Sequence, residues 1–159
     1  MKAGPVLLDT NLLVLFVVGL TSKDLIERHK RLSEFVPEDY DALLRILKNA
    51  SEVLVTPNTL TETSNLAAHI AEPARARVFA TLREVIARST EVTITSKTAA
   101  AREEFVRLGL TDAAIISATR EDTVLLTTDL SLYLATIAVG SQALNFNHIR
   151  DEYLTTRYQ

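Results

Sequence analysis

Short unbroken apolar runs alternate along this chain with stretches in which apolar residues recur every three or four positions. Val6-Leu7-Leu8 leading to Asp9, Val53-Leu54-Val55, Val92-Thr93-Ile94 and Val124-Leu125-Leu126-Thr127 have the length and β-branched character of buried strands. Ala143 to Phe146 reads as a fifth, edge strand. Between them the period lengthens. Leu12 to Val18 is too apolar to be anything but covered. Thr21 or Ser22 is placed to cap a charged helix reaching about Phe35. Pro37, Glu38 and Asp39 open another, with Tyr40, Leu43, Leu44 and Leu47 on one face.

Thr56-Pro57 starts a helix that carries Glu62, and Glu72-Pro73 breaks it before a further helix to about Arg88. A helix is predicted over Lys97 to Leu108, stopped by Gly109. Asp112 opens a small-residue helix through Thr119, and Leu130 to Val139 forms one ending at Gly140. Strands alternating with helices predict an α/β fold with a parallel sheet of four to five strands, covered on both faces. The 159 residues read as a single domain, 1–159, with no linker or low-complexity segment. The junctions around Asp9 and Asp129 echo one another, as shared packing demands at two strand-to-helix turns explain.

Composition narrows the function. Without cysteine there is no disulfide, thiolate zinc site or cysteine nucleophile, which fits a cytoplasmic protein. Asp9 and Asn11 interrupt the apolar stretch from Val6 to Leu20, so neither a membrane span nor a signal peptide is expected. With 17 Lys+Arg against 20 Asp+Glu the net charge is −3, which is no basic coat for nucleic acid. Thirteen of the basic residues lie between Lys23 and Arg107, so a local basic rim with a modest, salt-sensitive grip on phosphates is open.

Four acids stand where strand-like runs give way to helix-like ones: Asp9, Glu62, Asp112 and Asp129. In an open α/β sheet those points gather along one edge. Carboxylates repel one another, and a divalent cation is the usual reason to bring them together. Each has a plainer explanation when taken alone. Asp9, Asp112 and Asp129 suit helix N-caps, and Glu62 lies in a polar stripe with Asn58, Asn65 and His69 that suits solvent. Asn11 serves equally as a neutral oxygen ligand or as a turn former. Joint placement is what points to a site.

Other chemistries find little support. With 4 Gly there is no glycine-rich phosphate loop. His29, His69 and His148 lack metal-ligand spacing, no nucleophile elbow is present, and Lys97 and Arg102 read as ordinary helix residues.

Leu8-Asp9-Thr10-Asn11, Thr61-Glu62, Thr111-Asp112-Ala113-Ala114-Ile115 and Thr127-Thr128-Asp129, in this order across nearly the whole chain, resemble the motifs of the PIN-domain nucleases. The resemblance implies a three-layer α/β/α sandwich and Mg²⁺- or Mn²⁺-dependent cleavage of RNA, often by the toxin of a bacterial toxin–antitoxin pair. It implies Asp9, Glu62, Asp112 and Asp129 as the acidic quartet. Asp9, Asp112 and Asp129 would ligate metal, with Asn11 and Thr127 in support. RNA is then the substrate and an antitoxin protein a candidate partner. The helical insertion at about 20–52 is longer and more charged than in compact toxin members. Dimerisation, substrate binding and partner binding are the uses open to it. Two further readings remain: an inactive RNA- or protein-binding module with this fold, and a Mg²⁺-dependent phosphatase with Asp9 as nucleophile.

Overall fold

The computed structural model describes residues 2–157. Five parallel strands form one sheet in the order β3-β2-β1-β4-β5. They are β1 (Val6–Leu8), β2 (Val53–Val55), β3 (Thr90–Glu91), β4 (Val124–Thr127) and β5 (Gln142–Asn145). Leu7 pairs with Leu54 on one side and Leu125 on the other, so β1 is central and its three residues are buried. This burial on both faces is why the inner strands read as continuous apolar runs.

Helices α1 (Thr10–Thr21), α2 (Pro37–Asn49), α3 (Pro57–Ala67) and α4 (Ala74–Arg88) contribute to a core with Leu8 and Leu126. Helices α5 (Ser96–Ala100), α6 (Phe105–Leu108), α7 (Leu110–Ala118) and α8 (Leu130–Ala138) follow, and α7 and α8 pack on the opposite face with Leu7, Leu54 and Leu125. A last helix, α9 (Phe146–Arg157), runs beside α2, where Ile149 and Tyr153 join the first core. The architecture is the expected three-layer α/β/α sandwich with a parallel sheet. Among the described residues no helix is long and apolar enough to cross a membrane.

Four elements depart from expectation. The helix predicted from Ser22 to Phe35 is replaced by two short 3-10 turns, Lys23–Leu25 and Lys30–Leu32. The buried His29 side chain takes the Arg31 N–H on Nδ1 at 3.1 Å and places Nε2 3.2 Å from the Ala67 carbonyl, so it competes with helix continuation. Leu25, Ile26, Leu32 and Phe35 are buried in the first core, so this stretch is part of the body and not a projecting arm.

The third strand begins two residues early. Thr90 and Glu91 pair with Leu54 and Val55, the Val92 N–H closes the ladder on the Val55 carbonyl at 2.8 Å, and the Val92 and Ile94 side chains pack into the second core with α7. The helix predicted over Lys97 to Leu108 is interrupted at 101–104. A straight helix would turn Ala99 and Phe105 to different faces; the break lets both pack against Ala113 and Ala114. Gly109 then reverses the chain at φ +89°, a conformation open to glycine. Finally, α9 continues directly from the edge strand, where no helix was expected.

Candidate active site

From β1 the chain moves to β2 on one side and later to β4 on the other. The crevice past the carboxyl ends of β1 and β4 is therefore the switch point of the sheet, where open α/β folds place their ligands. Asp9 follows β1 and Asp129 follows β4. A cleft of about 170 Å³ lies there, lined by Asp9, Thr10, Asn11, Glu62, Leu66, Asp112, Asp129 and Leu132. All four acids read from the sequence meet in it, and no lysine or arginine is among its walls.

The four are held differently. Asp9 is 5% exposed. Its Oδ1 accepts the Leu12 N–H at 3.0 Å, so it does cap α1. Its Oδ2 accepts the Thr128 N–H at 3.1 Å and a short bond from the Thr127 hydroxyl. Burial pushes the Asp9 carboxyl up to about 6 against the pull of these donors, and the Asp129 charge adds to the rise. Asp129 caps α8 by accepting the Leu132 N–H at 3.0 Å, yet its side chain is exposed to the cleft. Capping and lining the cleft are thus compatible, because a carboxylate has more lone pairs than a cap uses.

Asp112 lies in the first turn of α7, half-buried. Burial first, then repulsion from Asp129, Asp9 and Glu62, lifts it to about 7. That dependence on three other acids places it within electrostatic reach of each. Glu62 sits on the exposed polar stripe of α3, but the stripe borders the cleft. The Thr111 hydroxyl donates to its Oε1 at 2.6 Å and the Thr10 hydroxyl to its Oε2 at 3.1 Å.

Thr127 touches two of the acids. It is buried, gives its hydrogen to Asp9 and accepts the Asp129 N–H at 2.9 Å, tying the two acids through one hydroxyl. Asn11 is exposed on the cleft wall. Sequence reasoning did not single out Thr10 and Thr111, which hold Glu62, or Asn147, whose amide donates to the Thr128 carbonyl at 3.2 Å and steadies the Thr127–Asp129 turn. Thr10 and Thr111 each neighbour a singled-out acid, which is the one signal the sequence carries for them.

Among the described residues no three His, Asp or Glu side chains stand as a ready-made metal cage. The donor set is nevertheless all oxygen and all hard, and the cleft has no cationic side chain of its own. Four cations are held in ion pairs away from the cleft. Lys23, Arg75, Arg102 and Arg150 pair with Asp41, Glu72, Glu104 and Asp39.

No family model matches the chain, and no curated protein matches it. Among solved structures, a domain of a functionally unknown protein from Methanocaldococcus jannaschii DSM 2661 is similar at TM-score 0.47 and 22% identity, covering 90% of this chain and 91% of that one. The fold described above rests on the strand order and the two core layers themselves.

Proposed function

We propose that this chain is a metal-dependent endoribonuclease of the PIN-domain type, with Asp9, Glu62, Asp112 and Asp129 as its acidic site. One observation carries the reading: four carboxylates from four separate segments line one cleft at the sheet's switch point, with no basic residue in its walls. Burial holds the Asp9 and Asp112 carboxyls above their usual range, and repulsion from the neighbouring acids adds to it, most for Asp112. A Mg²⁺ or Mn²⁺ ion would offset it, held by Asp9, Asp112 and Asp129. Their side chains must draw in around it, which exposed Asp129 and half-buried Asp112 have the freedom to do. When bound, such an ion polarises a phosphodiester and acidifies water.

The chain's own groups do the rest. Thr127 and the Thr128 N–H fix the Asp9 carboxylate in one orientation. Glu62, steadied by two hydroxyls yet open to solvent, is suited to accept the proton of an attacking water. With a cation held there, the cleft has room for a phosphate and its waters, and the rest of a polynucleotide would lie outside it. RNA as substrate, an antitoxin partner and a cytoplasmic setting follow from the motif resemblance and the cysteine-free composition. A phosphatase using Asp9 as nucleophile is disfavoured, since the position two residues on, where that chemistry expects a second acid, is Asn11.

The test is cleavage of a single-stranded RNA by purified protein with Mg²⁺, with Mn²⁺ and with chelator. Cleavage should require metal. Asp9→Asn and Asp112→Asn should each slow it by more than the ~10–100-fold typical of groups that merely support a metal ligand. Cleavage that survives chelation, or equal rates in parent and variants, overturns the proposal.

A further inference from the structure

The sheet ends on two unlike edges. At one, β3 is two residues long and carries the charged Glu91. Short length and charge are the usual protections of an open edge. At the other, β5 has neither. Its four residues, Gln142-Ala143-Leu144-Asn145, ladder to β4 on one side, and among the described residues no strand pairs with the other side. No charge, proline or glycine blunts it.

Both faces beside that edge are apolar. Ala143 pairs with Leu125, and both join the second core. Leu144 pairs with Leu126 of the first core, so it stands on the opposite face of the sheet, 48% exposed. On the second-core face, α8 buries Leu132 and Ala135 and leaves Leu130, Leu134 and Ile137, spaced four and three apart, exposed. A helix apolar on both sides calls for cover on both. With Val139 and Leu144, five of the ten exposed large apolar side chains among the described residues fall between 130 and 144. From 130 to 147 the chain holds no Asp, Glu, Lys or Arg, although such residues make up 23% of the whole.

We propose that β5 pairs antiparallel with β5 of a second copy of this chain, about a two-fold axis normal to the sheet. Such an axis keeps each face with its like: α8 meets the copy's α8 on one side, and Leu144 meets its counterpart on the other. The charge-free seam fits this occupant. A two-fold sets groups near the axis beside their own copies, so any charge there would meet its like. The carboxyl ends of the two sheets point apart, so the acidic clefts lie at opposite ends and neither completes the other. The proposal does not depend on the nuclease reading. The patch offers about a dozen residues, near half of the ~20–30 in a standard interface, so the dimer is reversible and concentration-dependent.

Sedimentation equilibrium of the full chain between about 1 µM and about 1 mM should show monomer passing to dimer, with a Kd in the micromolar range. Leu144→Lys and Ile137→Glu, both at exposed positions, should each weaken the dimer by at least about tenfold, because each sets like charges together at the seam. Urea unfolding at the lowest concentration, where all forms are monomeric, checks that the variants keep the parent's fold. The chain has no cysteine, so Leu144→Cys can be linked only to its own copy. A short bifunctional thiol reagent should join Leu144→Cys chains into dimers and leave Glu91→Cys chains, on the opposite edge, monomeric. A parent that stays monomeric up to about 1 mM overturns the proposal and leaves the edge to a strand of another protein. A dimer that withstands both substitutions, or links as readily through Glu91→Cys, lies elsewhere and overturns it too. A dimer broken by Ile137→Glu alone is a helix contact without strand pairing, which also overturns it.

Discussion

Acidifying the metal-free protein should stabilise it, against the usual tendency of carboxylate-rich folds. The Asp9 carboxyl titrates near pH 6 in the fold, raised by burial from 3.8. A raised acid binds its proton more readily folded than unfolded, so stability grows as pH falls through 6 and the gain saturates below about 4. Between pH 8 and pH 5 the folded carboxyl takes up most of a proton and the unfolded one almost none, worth about 1.4 kcal/mol. For a domain of this size that is a rise in Tm of roughly 3–6 °C. Asp112, raised to about 7, acts in the same direction, discounted because the group is partly exposed. His29 opposes both. Burial lowers it from 6.5, so the fold loses stability as pH drops below that value. The comparison with Asp9→Asn cancels His29 and every distant group. It also cancels the substituted amide's own fault, which is to face one of the three donors now bonded to Asp9. Urea unfolding in chelator at pH 8 and pH 5, for parent and Asp9→Asn, supplies the double difference. The parent should gain at least about 1.4 kcal/mol more than the variant. An equal gain in both would show that Asp9 is not a strained buried acid, and the electrostatic argument for a cation would fall with it.

Three further outcomes follow from the same contacts. In the parent, saturating Mg²⁺ or Mn²⁺ should raise Tm more than in Asp129→Asn, since a ligand of the folded state alone stabilises it; identical shifts by thermal scan would remove Asp129 from the ion's ligands. Arg150→Met should cost about 3–5 kcal/mol in urea unfolding, because it strands the Asp39 carboxylate, which is 1% exposed and held by Arg150 at 2.6 and 3.0 Å. Gly19→Ala should destabilise by about 1–3 kcal/mol despite alanine's better helix propensity, since its Cβ would overlap the buried Tyr40 ring; a stabilised variant in the same assay would show the ring free to move.

The inner sheet was legible because β1, β2 and β4 are largely buried on both faces, so their runs are apolar up to Thr127 at the end of β4. The edges were harder. β3 is exposed, has two residues and is defined by its ladder to Leu54 and Val55, which no local pattern announces. The last helix hides apolar Phe146, Ile149 and Tyr153 among polar neighbours, although their three- and four-residue spacing was a usable signal. Asp9 and Asp129 were legible as acids at strand ends. Thr10 and Thr111 were not, because their contacts with Glu62 span 52 and 49 residues and exist only once α1, α3 and α7 meet.

The segment before α2, the first part of the charged insertion at about 20–52, is joined to the cleft by a continuous set of bonds. Arg150 on α9 grips buried Asp39 and donates to the Glu34 carbonyl at 2.6 Å, with its guanidinium 5.0 Å above the Phe35 ring. The same guanidinium reaches the Asn147 side-chain oxygen at 3.5 Å, and Asn147 donates to the Thr128 carbonyl. The amide of Thr128 in turn holds Asp9. His29 anchors the other end of the segment to the Ala67 carbonyl at the C-terminus of α3, the helix that carries Glu62. Both walls of the acidic cleft therefore lean on this stretch. Its charges face solvent, while Leu25, Ile26, Leu32 and Phe35 build core. Buried Asp9 is fixed by three donors, while Glu62, held by the Thr10 and Thr111 hydroxyls, and Asp129, capping α8, stand open to solvent on the other sides of the cleft.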